Sequence, residues 1–221
     1  MAWVAKLVTA CAVGAALALA VPPTGARADD PPSCSAWLVE YGLSANLKIT
    51  DTTMGAGDGV FPVGPGRAVV RFDSVNGAPG GHARLTGYSM HERVTVTSKA
   101  AFWSATVTTE TNSKAADGTS AEGNLQGSTL SWSGPMRGYA TDGKMNCGGS
   151  LCGKFGAPPP GDSTVHMPPR PIPLASFQYG KDMKTFAMSF VQISQSDGSS
   201  SPKQTSFEAV SGREVKRTCV P

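Results

Sequence analysis

Tyr88-Ser-Met-His-Glu-Arg-Val-Thr-Val-Thr97, followed after a short break by Phe102-Trp-Ser-Ala-Thr-Val-Thr-Thr-Glu110, is the stretch that decides the fold. In the first run Tyr88, Met90, Val94 and Val96 fall on one face by alternation. In the second, Trp103, Ala105 and Val107 alternate against Ser104, Thr106 and Thr108. A period of two belongs to a half-buried strand, whose side chains point to opposite faces in turn. The β-branched and aromatic residues that fill both runs suit a pleated surface.

Outward from this pair, the same reading holds along the chain. Strands are expected over 46–53, 68–72, 83–97, 102–110, 124–133, 137–145, 174–179 and 185–193, with one or two more over 205–219. Asn76-Gly77, Asp117-Gly118 and Gly180-Lys-Asp182 are turn signals between them. Leu130 and Trp132 share one side of their strand, and Phe186, Met188 and Phe190 share a face of theirs. No stretch combines 3.6-residue apolar spacing with good helix formers. The expected class is all-β: an antiparallel sandwich or closed barrel of about nine or ten strands. The one long irregular segment, 156–173, carries seven prolines and reads as an extended crossover loop. A lid over one open barrel end is its functional alternative.

Residues 1–28 carry an address. One lysine precedes an apolar, Ala-rich run over 7–21, and Pro22-Pro23 ends it. Ala26-Arg27-Ala28 then places small residues where a signal peptidase reads them. The apolar run is about 15 residues, short of the roughly 20 that span a bilayer. Residues 1–28 are therefore read as a cleaved secretory signal and 29–221 as a single all-β domain without a transmembrane segment, exported to the periplasm or the extracellular space. Val8-Thr9-Ala10-Cys11 resembles a lipobox, which makes a lipoprotein anchored through Cys11 the lesser alternative; the apolar run continues past Cys11, unlike a lipobox.

The cysteines agree with export. Removing Cys11 leaves Cys34, Cys147, Cys152 and Cys219, an even set suited to an oxidising compartment. Cys147–Cys152 is the expected local pair, because the intervening Gly-Gly-Ser-Leu lets the chain reverse. Cys34–Cys219 then joins the mature ends, which commonly lie close together. Zinc is not supported, since no matching His or Cys pair follows Cys152.

Chemistry is harder to find. Of 19 basic residues, Lys6 and Arg27 leave with the signal, so 17 face 16 acidic ones. That balance argues against a nucleic-acid partner, which would need a concentrated basic face. Gly148-Gly-Ser150-Leu-Cys152 approaches a nucleophile elbow but lacks the final glycine and the strand–helix setting. The glycine-rich run 55–59 lacks a P-loop lysine, and Asp51 with Asp58 offers too few oxygens for calcium. The methionines are dispersed, as copper carriers' are not. Glu92, Glu110, Glu122 and Glu208 are scattered, with no spacing that pairs them. His82, His91 or His166 could join a serine and a carboxylate only through the fold, so a hydrolase with dispersed residues stays an alternative. No catalytic residue, metal site or cofactor is assigned.

The expected function is a non-enzymatic binding module for an apolar ligand or a protein partner, its specific role and partner unknown. A structural envelope or extracellular component is the other alternative. In a ligand-holding barrel, Tyr88, Met90, Trp103, Val107, Trp132, Phe186, Met188 and Phe190 are the expected lining residues. A cavity of a few hundred cubic ångströms would favour the ligand carrier, and a filled interior the structural role.

Overall fold

The computed structural model describes residues 33–51, 59–100, 102–116, 118, 120–154, 157–194 and 204–221. The expected signal and Cys11, Asp117, and residues 55–58 of the glycine-rich turn lie outside them. Eleven strands run in chain order: β1 (Ala36–Asp51), β2 (Gly59–Val75), β3 (Ala78–Ala100), β4 (Trp103–Lys114), β5 (Ala121–Gln126), β6 (Thr129–Trp132), β7 (Met136–Gly148), β8 (Gly161–Ile172), β9 (Phe177–Tyr179), β10 (Thr185–Ser194) and β11 (Gln204–Val220). Eight of them, in the order β2-β1-β11-β10-β9-β6-β5-β3, close into an antiparallel barrel through the β2–β3 pairing. The remaining three continue outward from β3 as β4-β7-β8.

The length of β3 produces this arrangement. Its first half pairs with β2 on one edge, from Val75↔Ala78 to Gly66↔Met90, and with β5 on the other. Its second half, from Ser89 to Ala100, pairs with β4 instead. One strand thus serves first as a barrel stave and then as the root of a four-stranded wing. The β2–β3 hairpin turns at Asn76 and Gly77, whose φ angles of 52° and 78° are the left-handed pair that a type I′ turn requires. Where β2 and β3 part, Gly66 leaves no room for a side chain: a Cβ there would sit 2.6 Å from the Met90 sulfur and 2.8 Å from the Ser89 carbonyl.

Aromatic rings fill the barrel. Tyr41, Phe72, Leu85, Leu130 and Phe177 are fully buried, with Phe186 beside them. Phe177 and Phe186 stack at 4.3 Å, Tyr41 meets Phe186 edge-on at 5.1 Å, and Trp132 meets Phe177 edge-on at 5.0 Å. Eight strands make an interior just wide enough for such side chains to occupy. Gly212 on β11 gives Phe186 its place, since a Cβ there would lie 2.1 Å from the ring. A smaller core of Ala105, Cys147, Leu151 and Cys152, with Val107 against it, sits at the far end of the wing.

Both expected disulfides are present, Cys34–Cys219 and Cys147–Cys152. They are compatible with an oxidising, exported location. The first joins the chain just ahead of β1 to the end of β11, two strands paired along their whole length.

Several local expectations change. The strand expected over 124–133 is a hairpin, β5–β6, turning at Gly127 (φ 59°) and Ser128. β1 begins ten residues ahead of the expected 46. Most of the Pro-rich crossover is itself a strand, β8, and it pairs along β7 instead of lying across a barrel end. Its prolines are tolerated because β8 is the last strand of the wing, and the pairing skips from Met167 to Arg170 over Pro168 and Pro169. Trp103, whose alternation suggests burial, is 39% exposed at the wing tip, because its strand face ends beyond the barrel.

Candidate functional site

The residues expected to line one interior divide among three places. Tyr88, Met90, Phe186 and Met188 are buried in the main core, with Trp132 half-buried against it. Val107 packs on the small wing core, and Trp103 lies at the wing tip, so neither faces the barrel. The Phe190 side chain lies outside the described residues. The barrel lumen is thus occupied by protein. A groove of about 570 Å³ lies instead outside it, lined by small residues such as Ala187, Ser189, Ala209 and Ser211 with Asn46 and Gln178.

Polar groups collect where the barrel opens. Past Gly66↔Met90 the β2–β3 seam ends, and β9 pairs with β10 through Phe186 and Ala187. Beyond these points β2-β1-β11-β10 forms one sheet and β3-β4-β7-β8 another. Their inner faces meet: Val94 and Val96 of the second share a core cluster with Val63, Leu47 and Phe61 of the first. On β3 the inward series Tyr88, Met90, Val94 is interrupted by Glu92. On β11, Gly212 and Val210 are followed inward by Glu208. Two carboxylates more than a hundred residues apart in sequence are thereby turned into the same space.

Glu208 is 9% exposed, and its Oε1 is buried with no hydrogen-bond partner among the described residues. Burial, and then the charge of Glu92, push its carboxyl up to about 7. Burial likewise raises Glu92, partly offset by His91. Tyr88 and Tyr139 stand 6.1 Å apart, ring centre to ring centre. Burial raises both, Tyr139 to about 12, where hydrogen bonds with Ser113 and Thr141 counteract the rise. The Ser113 and Thr141 hydroxyls bond each other at 2.8 Å, with Thr111 buried two residues earlier on the same face of β4. The set is rich in acceptors and short of positive charge. A protonated amine or another strong hydrogen-bond donor is the species it would stabilise.

The histidines are engaged elsewhere. His82 Nε2 lies 2.6 Å from Glu122, which Arg84 also approaches at 3.4 Å. His91 Nδ1 pairs with Asn112 Oδ1 at 3.0 Å, and His166 Nδ1 with Asp142 at 2.6 Å. Ser150 accepts a hydrogen bond from the Ser104 N–H at 3.2 Å within the disulfide hairpin. Among the described residues no group of three or more His, Cys, Asp or Glu side chains is placed to hold a metal ion.

Comparison with protein-family models, with curated proteins and with solved structures finds no match to this chain.

Proposed function

We propose that residues 29–221 form an exported, non-enzymatic binding module that takes its ligand between the two sheets at the open end of the barrel. The filled lumen removes the reason for an apolar ligand there, so the ligand is one that brings a positive charge. Glu208 carries the reading. A buried carboxylate without a partner costs several kcal/mol, and an apolar residue of similar size would make a better structural wall. A purely structural component has no use for that cost, whereas a site for a cationic ligand does.

The test is a thermal-shift titration of the mature chain at pH 8 with primary alkylamines and quaternary ammonium ions. A ligand held at a hundred times its Kd adds about 2.7 kcal/mol to stability. The expected result is stabilisation by the cations that Glu208→Gln abolishes. Equal melting with and without them would return the protein to the structural reading.

A further inference from the structure

The tip of the wing carries a second surface. Phe102, at the β3–β4 turn, is 99% exposed. Trp103 beside it has the Lys154 ammonium 3.7 Å from its ring centre. This tip is held in place. The Cys147–Cys152 bridge closes the β7 hairpin against it, with Leu151 buried at its centre. The Leu151 N–H donates to the Ser104 carbonyl at 3.0 Å, and the Ser104 N–H to Ser150 Oγ. Gly149 at φ 121° allows that contact, for a Cβ there would lie 2.3 Å from the Ser104 carbonyl oxygen. A disulfide and a private core thus fix a fully exposed phenylalanine, which gains nothing in water.

Charge identifies what it meets. From 94 to 109 the hairpin has one charged residue, Lys99, and from 146 to 160 the strapped loop has one, Lys154. Both are cationic, and no carboxylate falls in either span. We propose that the tip docks on an anionic lipid surface, with Phe102 and the Trp103 ring entering the headgroup boundary and Lys99 and Lys154 meeting lipid phosphates. Aromatic rings favour that depth, and lysine stems reach from it to the phosphates. The tip lies about 30 Å along β3 from Glu92 at 3.3 Å per residue, so it is independent of the carboxylate site.

Co-sedimentation of the mature chain decides the matter, using phosphatidylcholine vesicles with and without one quarter phosphatidylglycerol. Binding is expected to the anionic vesicles, to weaken at 0.5 M salt, and to resist competition by inorganic phosphate. Phe102→Ala removes no packing in the folded chain, so its melting temperature should stay unchanged while vesicle affinity falls at least about tenfold. Lys99→Glu should weaken binding several-fold. Absence of binding to the anionic vesicles, equal binding to the neutral ones, or full binding by Phe102→Ala would each overturn the proposal. The first of these is the outcome if the tip serves a protein instead.

Discussion

Replacing Glu208 with glutamine should make the protein more stable, and only above acidic pH. The Glu208 carboxyl has an ordinary value of 4.5 and is pushed up to about 7 in the folded chain. Between those values the unfolded chain has lost a proton that the folded chain keeps. Stability therefore falls as pH rises from 4.5 toward 7 and stays lower beyond. At 1.36 kcal/mol per pH unit, the wild-type penalty reaches about 3 kcal/mol. Glutamine keeps the shape and cannot ionise, so it escapes this penalty. Urea melts of both proteins from pH 4 to pH 8 are the assay. The curves should nearly coincide at pH 4 and diverge to about 3 kcal/mol at pH 8, roughly 10 °C in Tm for a domain of this size. Glu92, also raised by burial, stays in both proteins and gives both a slope of the same sign. A gap that is constant across the pH range would refute the reasoning, because it would place Glu208's effect in packing and not in its proton.

Further outcomes follow from the fold. Phe186→Ala removes a ring packed on Phe177, Tyr41 and Tyr179, and should cost about 3–5 kcal/mol in chemical denaturation. Gly212→Ala should be destabilising without touching any polar group, since its Cβ would collide with the same ring; near-ultraviolet circular dichroism should report the displaced aromatics. Cys34→Ser with Cys219→Ser opens a closed loop of 185 residues' separation, worth about 5 kcal/mol in the chain-entropy model, against about 2 for the Cys147–Cys152 ring; equal losses from the two double variants would contradict that ordering. Mass spectrometry of the protein recovered from its exporting host should give Asp29 as the first residue, and a diacylated Cys11 would replace that reading with a lipoprotein.

Much of the fold was legible because it rests on short-range rules. Alternation alone marked the inward face of β3, and Asn76-Gly77 marked its hairpin with β2. The disulfide pairing followed from where the cysteines stand. What escaped has local causes too. In the β1–β11 ladder the register shifts at Glu40/Tyr41, where the pairing passes over Val215 of β11, while on β1 itself Trp37, Val39, Tyr41, Leu43 and Ala45 alternate toward the core without a break. Gly127-Ser128 is a weak turn signal inside a run that otherwise alternates. The prolines of β8 argued against a strand, yet an outer edge does not need their missing N–H groups.

The candidate site was legible only in fragments. Glu92 breaks an apolar alternation at an inward position, and Glu208 does the same two residues before Val210. Each break reads on its own as a change from buried to exposed face. That the two meet depends on where β2 and β3 part and on β11 lying across from them, which is long-range topology. Tyr139, Ser113 and Thr141 carry no pattern that separates them from ordinary strand residues. The packed lumen was equally beyond reach, because alternation gives the inward face and says nothing of the volume left between faces.

The clasp between Cys34 and Cys219 has a mechanical meaning. A chain of this length pulled straight could extend by about 3.3–3.6 Å per residue, some hundreds of ångströms in all. Here the two attachment points are 5.3 Å apart and covalently joined. Tension applied at the two ends passes through one sulfur–sulfur bond and bypasses the chain between Cys34 and Cys219. Strung in series with other domains, this one would behave under load as a bead of fixed length until a reductant opened it.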